Sequence, residues 1–277
     1  MSRVFLILII FFHFFLSPIE AESSRRFSNE DADSNIIEVG VRAGIGFRAK
    51  DRFESDLENF TSTFQPGVFS RSNVTGFRNL NMGEVLLRMG IDSNQRFGFT
   101  VGNVDYSRAT LTELTNDGFY TRLSFDINTT YLLFTYHYLW QLNKQWSLEA
   151  GLGLGANETL WYSGGTTYSV RESFDQRGRL SGNGISYRME SSFNFRPNDL
   201  IVLQIGILWG LHTVPSFNGS WNGASSTFTI REDGRTTPLA ESRITDTIIL
   251  TNQFARSLDM SSSYSSLYFS TMLRFSY

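Results

Sequence analysis

The chain has 277 residues, a formal net charge of −3, 15% aromatic residues, 23 glycines and no cysteine. That length suits one large β domain, and the missing cysteine excludes a disulfide scaffold, a thiolate metal site and an acylated lipoprotein. No basic excess is present to attract nucleic acid.

Residues 1–21, "MSRVFLILIIFFHFFLSPIEA", have the form of a secretory signal peptide. Arg3 supplies the basic start, Val4 to Leu16 the apolar run, and Ala21 precedes the cut. The run is shorter than the roughly 20 apolar residues that a spanning helix needs. Losing Arg3 and Glu20 leaves the formal charge at −3. Residues 22–34 are polar and read as a flexible periplasmic segment.

From residue 35 the pattern changes to strict alternation. Ile37, Val39, Val41, Ala43, Ile45 and Phe47 share one parity; Glu38, Gly40, Arg42, Gly44, Gly46 and Arg48 share the other. A strand puts such sets on opposite faces. The same period recurs at Val85 to Ile91, Phe97 to Val101, Leu132 to Trp140, Trp146 to Leu154, Ile185 to Phe195, Ile201 to Leu211 and Leu267 to Tyr277. Tight polar turns, "DSNQ", "QLNKQ" and "RPND", alternate with long segments at about 50–80, 107–121, 157–181 and 213–262. The order predicts an all-β fold over 35–277, an eight-stranded antiparallel transmembrane β-barrel with periplasmic turns and long surface loops. Ten strands is the alternative, if "STFTIRE" and "DTIILT" in the last long segment also span. A secreted β-sandwich would alternate too, but its second face would be polar and solvated.

Here the second face is glycine with isolated charges. Gly40, Gly44, Gly98, Gly102, Gly151, Gly153, Gly206 and Gly210 all fall on it. A barrel of eight strands has an interior just wide enough for side chains, so these glycines make room for long neighbours. The neighbours are Glu38, Arg42, Glu84, Arg88, Glu149, Arg188, Glu190 and Arg274, expected to form an ion-pair network in the lumen, since buried charges need partners. On the apolar face, Trp140, Trp146, Phe195 and Tyr277 sit near the tight turns, and Phe47, Trp161 and Trp209 toward the other end, as two aromatic girdles. One place breaks the parity. Apolar residues are odd-numbered from Phe119 to Ile127 and even-numbered from Leu132 to Trp140. A β-bulge near residues 128–130 would switch them; the upper stretch lying outside the membrane is the alternative.

The leader, the antiparallel strands, the long loops and the aromatic C-terminus together resemble small bacterial outer-membrane barrels of the OmpA/OmpX/OmpW type. The likeness is architectural and covers about 35–277. It implies bacterial outer-membrane localisation, contact with outer-membrane lipid and lipopolysaccharide, and insertion by the barrel-assembly machinery. It also implies that Leu273, Phe275 and Tyr277 carry the assembly signal.

No strong active site is legible. His137 lies close to a tight turn, and His212 lies at the outer end of its strand with Ser216 nearby, but the His-x-Ser spacing of lipid A deacylases is absent. No cofactor, metal or catalytic residue is assigned, and the chain is read as a non-enzyme. "GIGFRA" and "GLGLGAN" lack the strand-then-helix setting of a phosphate loop. Asp51, Glu54, Asp56 and Glu58 read as a solvated acidic run, with cation binding as the alternative. Three functions remain: a structural or surface-interaction barrel whose loops meet an extracellular ligand, a narrow channel for small or hydrophobic solutes, and lipid A modification.

Overall fold

The computed structural model describes residues 36–61, 70–76, 78–240 and 254–276. The leader, the polar segment 22–34, "DTIILT" and Tyr277 lie outside the described residues. The strands are β1 (Ile36–Arg48), β2 (Ser70–Thr75), β3 (Asn79–Gly90), β4 (Gln95–Tyr106), β5 (Ala109–Thr115), β6 (Tyr120–Gln141), β7 (Trp146–Tyr168) and β8 (Ser173–Phe195). They continue as β9 (Ile201–Val214), β10 (Asn218–Trp221), β11 (Ala224–Arg231), β12 (Thr236–Ala240), β13 (Phe254–Ser257) and β14 (Met260–Ser276). One short helix, α1 (Arg52–Leu57), follows β1.

All described strand pairings are antiparallel, and the main sheet holds fourteen strands. The expected count of eight, or ten, is therefore corrected to fourteen. The circuit of pairings that closes on itself runs through β1, β3, β4, β6, β7, β8, β9 and β14. Strands β2, β5, β10, β11, β12 and β13 lie outside that circuit and extend the sheet. The segments 107–121 and 157–181, read as loops, contain β5 and the continuations of β6, β7 and β8. β7 and β8 each run 23 residues, against the roughly 9–11 that cross a bilayer.

The termini and the tight turns share one end, with Ile36 paired to Ser276. Each tight turn is closed by one Asx side chain. Asp92 Oδ1 accepts from the backbone N–H groups of Asn94 (2.8 Å) and Gln95 (2.7 Å). Asn143 does the same for Gln145 and Trp146 at 2.9 and 3.0 Å, and Asn198 for Leu200 and Ile201 at 3.0 and 2.9 Å. Such turns satisfy donors that the ladder leaves open.

The barrel has two tiers with opposite polarity. In the lower tier Val41, Leu87, Phe99, Leu132, Leu154, Ile207 and Phe269 point out and are exposed, while charges point in. Above it the outward residues turn polar: Asn81, Asp105, Asn128, Glu158, Asn183 and Ser261. Asn103 and Asn128 exchange side-chain amide bonds of 2.5 and 3.0 Å on this belt. At the same height the inward residues become apolar: Val104, Leu123, Phe125, Ile127, Trp161 and Leu180 are buried. Lipid rewards apolar side chains on the outside; water above it rewards them inside.

This inversion explains the parity break in β6. The register of β6 on β7 is unbroken from Tyr120↔Tyr168 to Gln141↔Ser147, so no bulge switches the faces. The apolar set changes sides because the solvent outside the wall changes. Trp161 is corrected on the same ground: it is 0% exposed and belongs to the upper core, not to a girdle. Phe47 and Trp209 remain outward, at 70% and 40% exposed.

The helix α1 roofs this core. Asp51 caps it by accepting from the Glu54 N–H at 3.1 Å, and Phe53, Leu57 and Phe60 are buried below. Phe53 packs edge-on to Trp161 at 5.6 Å. The chain after α1 ties the two ends of the sheet. The Thr61 N–H donates to Thr236 O (2.8 Å) and the Thr236 N–H to Asn59 O (3.0 Å), while Ser72 Oγ donates to Glu58 O beside β2.

Candidate functional site

The lower lumen gathers charge because every strand of the circuit turns its non-apolar parity inward. Pairing then sets the neighbours. Glu38 on β1 stands opposite Arg88 on β3 and Arg274 on β14, and Arg42 stands opposite Glu84. Glycines open the space that these side chains fill. A Cβ on Gly102 would lie 2.6 Å from the Tyr131 hydroxyl oxygen and 2.8 Å from Glu84 Cγ. One on Gly151 would lie 2.6 Å from His137 Nδ1 and 2.9 Å from Glu190 Cγ.

The contacts are close and buried. Arg42 donates to both oxygens of Glu190, at 2.7 and 2.9 Å, and to Glu84 at 3.1 Å. Arg88 spans Glu38 (2.9 Å) and Glu149 (2.6 Å). Arg188 donates to Glu84, which also accepts from the Tyr131 hydroxyl. Glu149 accepts further bonds from Asn194 (2.8 Å) and Gln204 (3.0 Å). Arg42 lies over the Tyr268 ring at 4.0 Å, and Arg188 over Tyr131 at 5.2 Å. Of the expected lumen residues, seven form ion pairs with one another, while Arg274 is buried and faces Glu38 across the ladder.

Several members escaped the sequence reading. Arg96 lies 3.9 Å from Glu38, and it shares the parity of Gly98 and Gly102, a signal that was available. His137 Nδ1 lies 2.8 Å from Glu149 and 3.4 Å from Glu190. Tyr131, Tyr268, Asn194 and Gln204 are polar anchors that alternation alone does not separate from filler.

His137, Glu149 and Glu190 bring three ligand-type atoms within 4.8 Å of one another. Arg42 and Arg88 already neutralise these carboxylates, and two guanidinium groups so close oppose a dication. His212 pairs with Ser186 on the neighbouring strand at 2.6 Å, not with Ser216. Its ring stacks between Tyr131 and Tyr264 at 5.2 and 5.1 Å, and its Nε2 has no hydrogen-bond partner among the described residues. The pair thus lacks the oriented third group of a hydrolytic triad. The acidic run of the first loop is also paired. Asp51 and Glu54 meet Arg48 at 2.5 and 3.5 Å, Asp56 meets Arg256 at 2.8 Å, and Glu58 meets Lys50 at 2.5 Å.

No protein-family model and no curated protein sequence matches the chain. Solved structures resemble it at low similarity. Neisserial surface protein A is 8% identical, with 87% of this chain and 97% of that one covered and a TM-score of 0.34. The attachment invasion locus protein of Yersinia pestis is 11% identical, covering 86% and 98% with a TM-score of 0.30. The outer membrane protease OmpT from Escherichia coli is 8% identical, covering 92% and 100% with a TM-score of 0.41. At such similarity nothing about activity or ligands transfers. The chain's own geometry decides its place. Among the described residues the antiparallel circuit closes on itself, so its ladders pair backbone groups strand to strand as lipid requires, with an apolar band outside and charges inside. The protein is a bacterial outer-membrane β-barrel with extracellular loops.

Proposed function

We propose that this barrel is a surface-interaction protein, which anchors a rigid extracellular β-structure and presents it to ligands outside the cell. The observation that carries this reading is the continuation of the sheet above the polar belt around a packed aromatic core. Trp161 contacts Phe53, Phe125, Phe217 and Phe228 there, with ring centroids 4.6–5.6 Å apart. A wall so braced holds its surface in one shape, which lowers the ordering cost of binding. Outer-leaflet lipid and lipopolysaccharide would meet the outward face. Leu273 and Phe275, both exposed on β14, would be read by the barrel-assembly machinery.

The channel reading is disfavoured by two fillings in series, the ion-pair layer below and the apolar core above. The refolded protein in a planar bilayer is expected to give no stable conductance steps. Reproducible openings of one size, altered by Arg42→Ala, would replace this reading with a narrow channel.

A further inference from the structure

Among the described residues, Arg71, Arg122, Arg171 and Arg179 are exposed and have no ion-pair partner. All four lie on one wall of the upper tier, on β2, β6, β8 and the turn between β7 and β8, strands joined through β5 and β7. The same wall carries two ion pairs, Arg108 with Asp126 at 2.7 Å and Arg177 with Asp175 at 3.8 Å. Its turns add Asp117 and Glu172. A chain with a net charge of −3 therefore gathers an excess of arginine on one outward face.

At the centre of that face is a dent. Gly164 on β7 stands between Ser124 on β6 and Arg177 on β8, and a Cβ on it would meet nothing within 4 Å. Tyr162 and Thr166 flank it along β7, with Tyr162 opposite Arg179 and Thr166 opposite Arg122. The Arg179 guanidinium lies over the Tyr162 ring at 5.6 Å, which leaves its N–H edge open to an acceptor. Arginine forks grip phosphate and carboxylate groups, and a tyrosine ring offers the C–H face of a sugar an apolar surface. The chemistry that fits is a sugar bearing anionic groups.

The placement of the wall selects the source. The register of β7 on β6 and on β8 is unbroken, so the face that meets lipid below continues upward as this one. At about 3.3 Å per residue and a tilt near 40°, a strand climbs about 2.5 Å per residue, which puts Arg179 about 15 Å above Ile185 and Arg122 about 25 Å above Leu132. Ile185 and Leu132 are the last outward apolar residues of their strands. Lipopolysaccharide carries its phosphates and sugar carboxylates above its acyl chains, so the leaflet itself brings anionic sugars against this flank. We infer that the outer wall of β2 and β5–β8 binds the phosphorylated sugars of a neighbouring lipopolysaccharide, with Arg71, Arg122 and Arg179 as the cations and the Gly164 dent as the seat. This deepens the proposed function and rests on the upper tier lying outside the cell.

The chain has no cysteine, so an environment-sensitive dye on Thr166→Cys reports on the dent alone. The labelled protein is refolded into phosphatidylcholine vesicles with rising fractions of lipopolysaccharide that has a phosphorylated core. The dye is expected to respond, and the half-saturating fraction should rise about tenfold in Arg71→Gln/Arg122→Gln/Arg179→Gln, the sum of three exposed charge contacts. Phosphatase-treated lipopolysaccharide should shift the unsubstituted wall in the same direction. A dye on Ser261→Cys, exposed on β14 beyond β8 and β9, should not distinguish the triple variant from its parent. Thr112→Cys, opposite Arg122 on β5, gives the same readout if the dye at Thr166 fills the dent. Equal half-saturation with and without the three arginines, or with and without the phosphates, would overturn the inference. So would soluble polyphosphate saturating the site at a lower phosphate concentration, which would make the wall a site for a free polyanion. Val170→Cys at the turn, treated with an impermeant maleimide in intact cells, separates the two readings. Protection there overturns the proposed function and this inference with it; labelling there without a response to lipopolysaccharide overturns this inference alone.

Discussion

Replacing Arg88 with alanine is expected to lower the unfolding free energy by about 3–5 kcal/mol, measured by urea unfolding in lipid vesicles. The guanidinium is 1% exposed and joins Glu38 and Glu149 in one contact set. Without it two carboxylates stay buried in a lumen with fewer cations, and the loss reflects their desolvation more than the attraction removed. Glu149→Ala should be costly as well, because it leaves Arg88 with Glu38 as its remaining carboxylate and takes the carboxylate acceptor from Asn194 and Gln204. The double variant should cost less than the two single losses summed, since each single change already breaks the pair they share. Neutral effects of both single changes would mean that the lower lumen is hydrated and the pairs contribute nothing.

The second large effect lies in the other tier. Trp161→Ala is expected to remove about 3–5 kcal/mol of local stability, because its ring is fully buried among four phenylalanines. The effect should be confined. The lower parts of β6, β7 and β8 keep their ladders and their lipid face, so the protein still inserts. α1 loses the ring that Phe53 rests on. Limited proteolysis of intact cells should cut the α1 region much faster in the variant. An unchanged cleavage rate together with loss of insertion would show that the two tiers do not fold as separable layers.

The lower tier was legible in the sequence because one physical rule governs it. Lipid outside and a narrow lumen inside force apolar residues and glycine-plus-charge residues onto opposite parities, as in β1 and the lower part of β7. The same parity placed Glu38, Arg42, Glu84 and Arg88 inward. The upper tier was not legible for the converse reason. Asn157, Thr159 and Ser163 face the interior while Leu160 and Tyr162 face outward, so 157–181 carries no clean alternation and reads as loop. The odd-numbered Leu123, Phe125 and Ile127 did carry a signal, but it marked a change of solvent and not a bulge. β10, β12 and β13 are 4, 5 and 4 residues long, too short for a period to declare itself. The contacts of His137 and His212 depend on which strand lies beside which, and no single strand contains that information.

One chain forms two tiers, a barrel with an outward apolar band and a charged lumen, and an apolar-cored β-structure beyond it; the proposed function puts the second tier outside the cell. Cysteine placement tests this division most directly, again because the chain has none of its own. Intact cells carrying either Gly223→Cys in the β10–β11 turn or Lys144→Cys in the β6–β7 turn are treated with an impermeant maleimide. Gly223→Cys is expected to label at once, and Lys144→Cys only after the outer membrane is permeabilised. Labelling of Lys144→Cys in intact cells, with Gly223→Cys protected, would contradict the two-tier arrangement.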